Sequence, residues 1–104
     1  MGYKLVITRR AEELLDGLVN DLLFDLGNEP AAARLLGGVE DIYSRLEQNP
    51  LQFPASRDRY LSHKDYREVL VPGMGYRLVF CVRERTVIVL GIFHQLENFQ
   101  GRVM

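Results

Sequence analysis

Asp65-Tyr66-Arg67-Glu68-Val69-Leu70-Val71, then Gly75-Tyr76-Arg77-Leu78-Val79-Phe80-Cys81-Val82, then Thr86-Val87-Ile88-Val89-Leu90-Gly91-Ile92-Phe93-His94 decide the fold of this chain. All three stretches are rich in β-branched and aromatic residues, which suit a pleated, half-buried surface. The segments between them, Val71-Pro72-Gly73-Met74-Gly75 and Arg83-Glu84-Arg85-Thr86, have turn composition. Three strands joined by two tight turns predict an antiparallel meander. Arg67, Arg77 and His94 interrupt runs that are otherwise apolar. A charge set among core-forming residues costs free energy unless it has a partner or a task, so these three are the first candidates for function.

Upstream the hydrophobic period changes. Tyr3-Lys4-Leu5-Val6-Ile7-Thr8 alternates as a short strand and ends on a residue able to cap a helix. Ala11, Leu14, Leu15, Leu18, Val19, Leu22, Leu23 and Leu26 then form one continuous helical stripe. Gly27-Asn28 stops that helix, and Pro30 suits the first turn of the next. A second stripe follows through Ala32, Leu35, Leu36, Val39, Ile42, Tyr43 and Leu46, ending before Pro50. Gly37-Gly38 inside it costs about 1 kcal/mol per residue relative to alanine, which points to a close-packing site. Residues 50–64 show no period and read as a surface loop anchored by Phe53 and Leu61. The fold class is therefore α+β, in the order β-α-α-β-β-β. A helical hairpin packs on one face of a small antiparallel-dominated sheet, and the other face is left for a partner.

Size and composition narrow the function. The 104 residues suit one domain spanning 1–104, with 47% hydrophobic and 26% charged residues. No apolar run approaches the ~18 residues of a membrane span, and no signal-peptide pattern is visible, so a cytoplasmic protein without membrane partners is expected. Cys81 stands alone, mid-strand, as a small hydrophobe. With His63 and His94 it makes no metal-ligand cluster, and no phosphate-binding glycine loop or nucleophile elbow is present. No metal and no cofactor are implied. Residues 1–50 hold five Lys/Arg against nine Asp/Glu, and residues 51–104 hold eight against five. The strand half can thus face an anionic partner, although an accidental split of ordinary surface charge explains the counts equally well.

Register predicts which side chains meet. A two-residue turn at Glu84-Arg85 puts Arg77 across from Ile92 and position 75 across from His94. Arg77 and His94 then share the face away from the helices with Val79, Cys81, Ile88 and Leu90, because directly opposed residues point the same way. Tyr76, Leu78, Phe80, Val87, Val89 and Phe93 are assigned to the helix side. For the first hairpin, a two-residue loop at Gly73-Met74 sets Arg67 opposite Phe80, towards the helices. A three-residue loop or a bulge sets it beside Arg77, and is expected because a guanidinium aimed at the core is badly desolvated.

Tyr66-Arg67, Gly75-Tyr76-Arg77-Leu78-Val79-Phe80 and Ile92-Phe93-His94-Gln95, in this order of elements, resemble the RelE/ParE superfamily of bacterial toxins. Tyr3-Lys4-Leu5 with Ala11 and Leu14-Leu15, and Leu46 before Asn49-Pro50, extend the resemblance over nearly the whole chain. It implies the toxin half of a type II toxin–antitoxin pair, silenced by a cognate antitoxin and touching operator DNA only through it. Two targets follow from the resemblance. ParE-like members inhibit DNA gyrase by binding; the ending His94-Gln95-Leu96-Glu97-Asn98-Phe99 and the long helices look more like that branch. RelE-like members cleave ribosome-bound mRNA without metal, so an enzyme of this kind would be a metal-independent endoribonuclease. In that case Arg67, Arg77 and His94 are the catalytic candidates, with Lys64, Arg67 and Arg77 binding substrate and Asp58 a further candidate base. Guanidinium groups grip phosphate bidentately, and histidine exchanges protons near neutral pH. The plain alternative is structural: Arg67 and Arg77 pair with Glu68 or Glu97, His94 hydrogen-bonds at a strand end, and His63-Lys64 is solvated surface.

Overall fold

Thr8 closes the first strand and opens the first helix. The computed structural model describes residues 2–56 and 65–94. Strand β1 (Lys4–Ile7) ends where the Thr8 Oγ1 accepts from the Ala11 N–H at 3.1 Å, which starts helix α1 (Arg9–Asn20). One wide π turn, Asp21–Asp25, continues it, closed by the Leu26 N–H donating to the Asp21 carbonyl at 3.0 Å. Gly27 reverses the chain at φ +60. Asn28 then caps α2 (Glu29–Gln48) through its Oδ1, 3.1 Å from the Ala31 nitrogen. The wide turn swings Leu26 off the apolar stripe on which sequence periodicity places it, and the side chain is exposed.

A short 3₁₀ turn at Pro50–Gln52 leads to Phe53, which is buried as expected. The second anchor expected in that loop, Leu61, lies outside the described residues. Strands β2 (Arg67–Val71), β3 (Tyr76–Arg83) and β4 (Thr86–His94) form the meander, and β1 joins parallel to β4, giving the order β1-β4-β3-β2. Helix α1 packs against β4, and α2 against β2 and β1. The α2–β2 approach is close: a Cβ on Gly38 would lie 3.0 Å from Val71 Cγ1, whereas Gly37 faces open space. The main core joins Leu35, Val39, Ile42 and Leu46 of α2 to Leu78, Phe80, Val87, Val89 and Ile92.

The far face of the sheet is not bare. Val79, Cys81, Leu90 and Phe93 are buried there in a second, smaller cluster with Leu14, Tyr66 and Ile88. The expected exposed apolar face of Ile88, Leu90, Val79 and Ile92 is corrected accordingly: Val79 and Leu90 are buried, and Ile92 belongs to the helix-side core.

Candidate functional surface

One extra residue in β4 decides where the candidate side chains point. Cys81 pairs with Ile88 and Phe80 with Val89, as a two-residue turn dictates, but Val79 pairs with Gly91. Leu90 is thus bulged out of register. The backbone can bend here because residue 91 is glycine. A Cβ there would sit 2.7 Å from Phe93 Cε2 and Cζ and 3.0 Å from Leu14 Cδ1. Beyond the bulge every side chain of β4 changes sides. Arg77 therefore lies across from Phe93 instead of Ile92, and His94 lies across from Tyr76.

This corrects three expectations. Arg77 and His94 do not share a face: His94 is on the side of Tyr76, whose ring it meets edge-on at 6.0 Å between centroids. Phe93, assigned to the helix side from sequence, packs in the opposite cluster. Arg67 sits across from Phe80, on the helix side, because Val71 pairs with Tyr76 around a turn without the extra residue. Its guanidinium escapes desolvation at the margin of the core, where Nη1 donates to the Phe53 carbonyl at 2.7 Å. The Ala55–Arg67 bridge holds that segment against the outer side of β2. The acceptor that makes this face tolerable for a guanidinium is a carbonyl that only the folded loop supplies.

Arg77 remains on the far face, where its Nη1 meets Glu68 Oε2 at 3.0 Å. The two side chains are only 14% and 9% exposed. Glu68 faces Val79 and Leu70 faces Arg77, so the pair crosses from β2 to β3 diagonally. Both described guanidinium groups of the candidate set thus hold intramolecular acceptors. Lys64 and Asp58 lie outside the described residues. Among the described residues, no three His, Cys, Asp or Glu side chains are grouped to hold a metal ion, and no helix is long and apolar enough to cross a membrane.

Among the described residues, two groups outside the candidate set titrate away from their usual ranges. Burial pushes the Cys81 thiol up, partly offset by Arg83. Burial, with a smaller contribution from Glu12, raises the Tyr43 phenol. A protonated, buried thiol is a poor nucleophile, which fits a packing role for Cys81. Sequence periodicity missed the exposed apolar residues at the end of the helical hairpin, Phe24 and Leu26. Phe24 lies off the helical stripe, and that was the available signal.

The sequence matches the family model of the ParE toxin of type II toxin–antitoxin systems (parDE) over residues 5–99. The chain belongs to the ParE toxin family. It is accordingly a toxin component of a type II toxin–antitoxin system, and the system implies a cognate antitoxin. Among solved structures, one from the chromosomal ParDE toxin–antitoxin system of P. aeruginosa is similar, with a TM-score of 0.71 and 19% identity. The similarity covers 88% of this chain and 95% of that one. At this identity it speaks for the fold. No curated protein matches the sequence.

Proposed function

We propose that this ParE-family toxin arrests growth by binding DNA gyrase, and that its cognate antitoxin silences it by occupying the same molecule. The observation that carries the choice of target is the bulge at Leu90. Metal-independent cleavage of RNA requires guanidinium and imidazole groups converging on one phosphate, held close to productive geometry. Here Arg67 and His94 lie on one side of the sheet and Arg77 on the other. Binding inhibition makes no such demand. For the antitoxin, an added strand on the outer side of β2 is the natural mode. Among the described residues only Ala55 pairs there, and Leu70 of that strand is exposed.

The test uses purified protein in two assays, gyrase supercoiling of plasmid and translation of a reporter mRNA. Wild type slows supercoiling and leaves the mRNA intact. His94→Ala, and the paired change Arg77→Met with Glu68→Leu, retain that inhibition. Cleavage of ribosome-bound mRNA that disappears in these variants would instead establish the nuclease, with Arg77 and His94 among its residues.

A further inference from the structure

Between Arg10 and Arg34 the chain has six carboxylates (Glu12, Glu13, Asp16, Asp21, Asp25 and Glu29) and no Lys or Arg. All six are exposed. Glu13 pairs with Arg9; Asp16, Asp21, Asp25 and Glu29 form no salt bridge among the described residues. In the middle of this acidic span, Phe24 is 77% exposed and Leu26 71% exposed. They are the two most exposed large hydrophobic side chains among the described residues. An ordinary α-helix would return Leu26 to the stripe of Leu22. The π turn at Asp21–Asp25 instead leaves Leu26 in solvent at the tip of the hairpin, together with Phe24, which lies off the stripe. Such wide turns are frequent at functional sites, and contiguous exposed apolar surface rimmed by charge marks interaction sites.

We propose that this tip is the surface by which the toxin docks on its target, and that the complementary site is a positively charged protein surface with an apolar slot. The proposal rests on gyrase as the target. An enzyme that handles DNA must carry basic surfaces to neutralise phosphates, and an acidic tip is drawn to such a surface and competes there with DNA. Phe24 and Leu26 supply the apolar anchors that small interfaces concentrate their energy in. The carboxylates supply steering and specificity. This surface is separate from the β2 edge, so target and antitoxin recognise different parts of the molecule.

The experiment compares wild type with F24S/L26S and D21K/D25K as full-length chains, each checked for an unchanged melting temperature. The readouts are the concentration that half-inhibits purified gyrase on plasmid DNA, and growth arrest on induction. Both variants should raise the half-inhibitory concentration by roughly tenfold or more. Wild-type inhibition should weaken as salt or competing DNA is added. Inhibition by F24S/L26S at the wild-type concentration overturns the tip as the docking surface. A wild type that leaves gyrase untouched overturns the choice of target instead. The tip is then judged by growth arrest alone: arrest that survives in F24S/L26S overturns it, and arrest lost in both variants supports it against another basic target. A wild-type dimer that becomes monomeric in F24S/L26S with full toxicity assigns the tip to a second copy of this chain and overturns the proposal.

Discussion

Replacing Arg77 by alanine should cost far more than the pair it breaks is worth. At 3.0 Å from Glu68, two unit charges attract by about 5–6 kcal/mol at an effective dielectric of ~20. Desolvating each ion costs several kcal/mol, so the intact pair contributes little net stability. Arg77→Ala removes that attraction from a Glu68 carboxylate that is only 9% exposed. Breaking a buried pair in this way costs about 3–5 kcal/mol, against a total stability of roughly 5–15 kcal/mol for a chain of this size. With a urea dependence of roughly 1.5 kcal/mol per molar, the unfolding midpoint falls by about 2–3 M. The double change Arg77→Met with Glu68→Leu removes both charges together and should stay within about 1–2 kcal/mol of wild type. Urea unfolding followed by circular dichroism measures all three proteins. A midpoint for Arg77→Ala equal to wild type, or a double variant as weak as the single one, refutes the reasoning.

Other consequences are smaller and equally open to measurement. Thr8→Ala removes the side-chain acceptor of the Ala11 N–H and should lower stability by about 1 kcal/mol, visible as a drop of roughly 4–8 °C in melting temperature. Gly91→Ala places a methyl 2.7 Å from the Phe93 ring and should cost about 1–3 kcal/mol through overpacking at the bulge; a neutral result would show that the bulge does not depend on this glycine. Cys81 is buried with its thiol titration raised, so a thiol reagent should label it no faster than the protein unfolds; rapid labelling of native protein would refute that. Because the folded thiol holds its proton more tightly than the unfolded one, stability from this group is complete below the ordinary thiol range. It declines as pH rises from that range through the raised folded value, and Cys81→Ala should reduce this slope in pH-dependent melting.

Local structure was legible residue by residue. Thr8 and Asn28 mark helix starts, Gly27 the reversal between the helices, and Gly73 and Gly75 the first hairpin turn; each acts through its own backbone or its nearest neighbours. The apolar stripe of α2 predicted Leu35, Val39, Ile42 and Leu46 as core, because a 3.6-residue period sorts side chains without knowledge of the partner surface. The stripe of α1 held as far as Leu22 and Leu23 and failed at Leu26, where hydrogen bonding widened by one residue. The family was legible as well, since its signature follows the order of elements.

What sequence alone determined, then, was which segments are helix and strand, their order, and the class of toxin they make. The tertiary structure decided which way the charged side chains point. A strand has a period of two, so one unpaired residue reverses every side chain beyond it. That residue is Leu90, in a bend that admits the Phe93 ring and Leu14 over Gly91. Arg67 in turn depends on a carbonyl at Phe53, fourteen residues earlier in the chain. Both outcomes are set by contacts between distant segments, and no pattern of neighbouring residues encodes them.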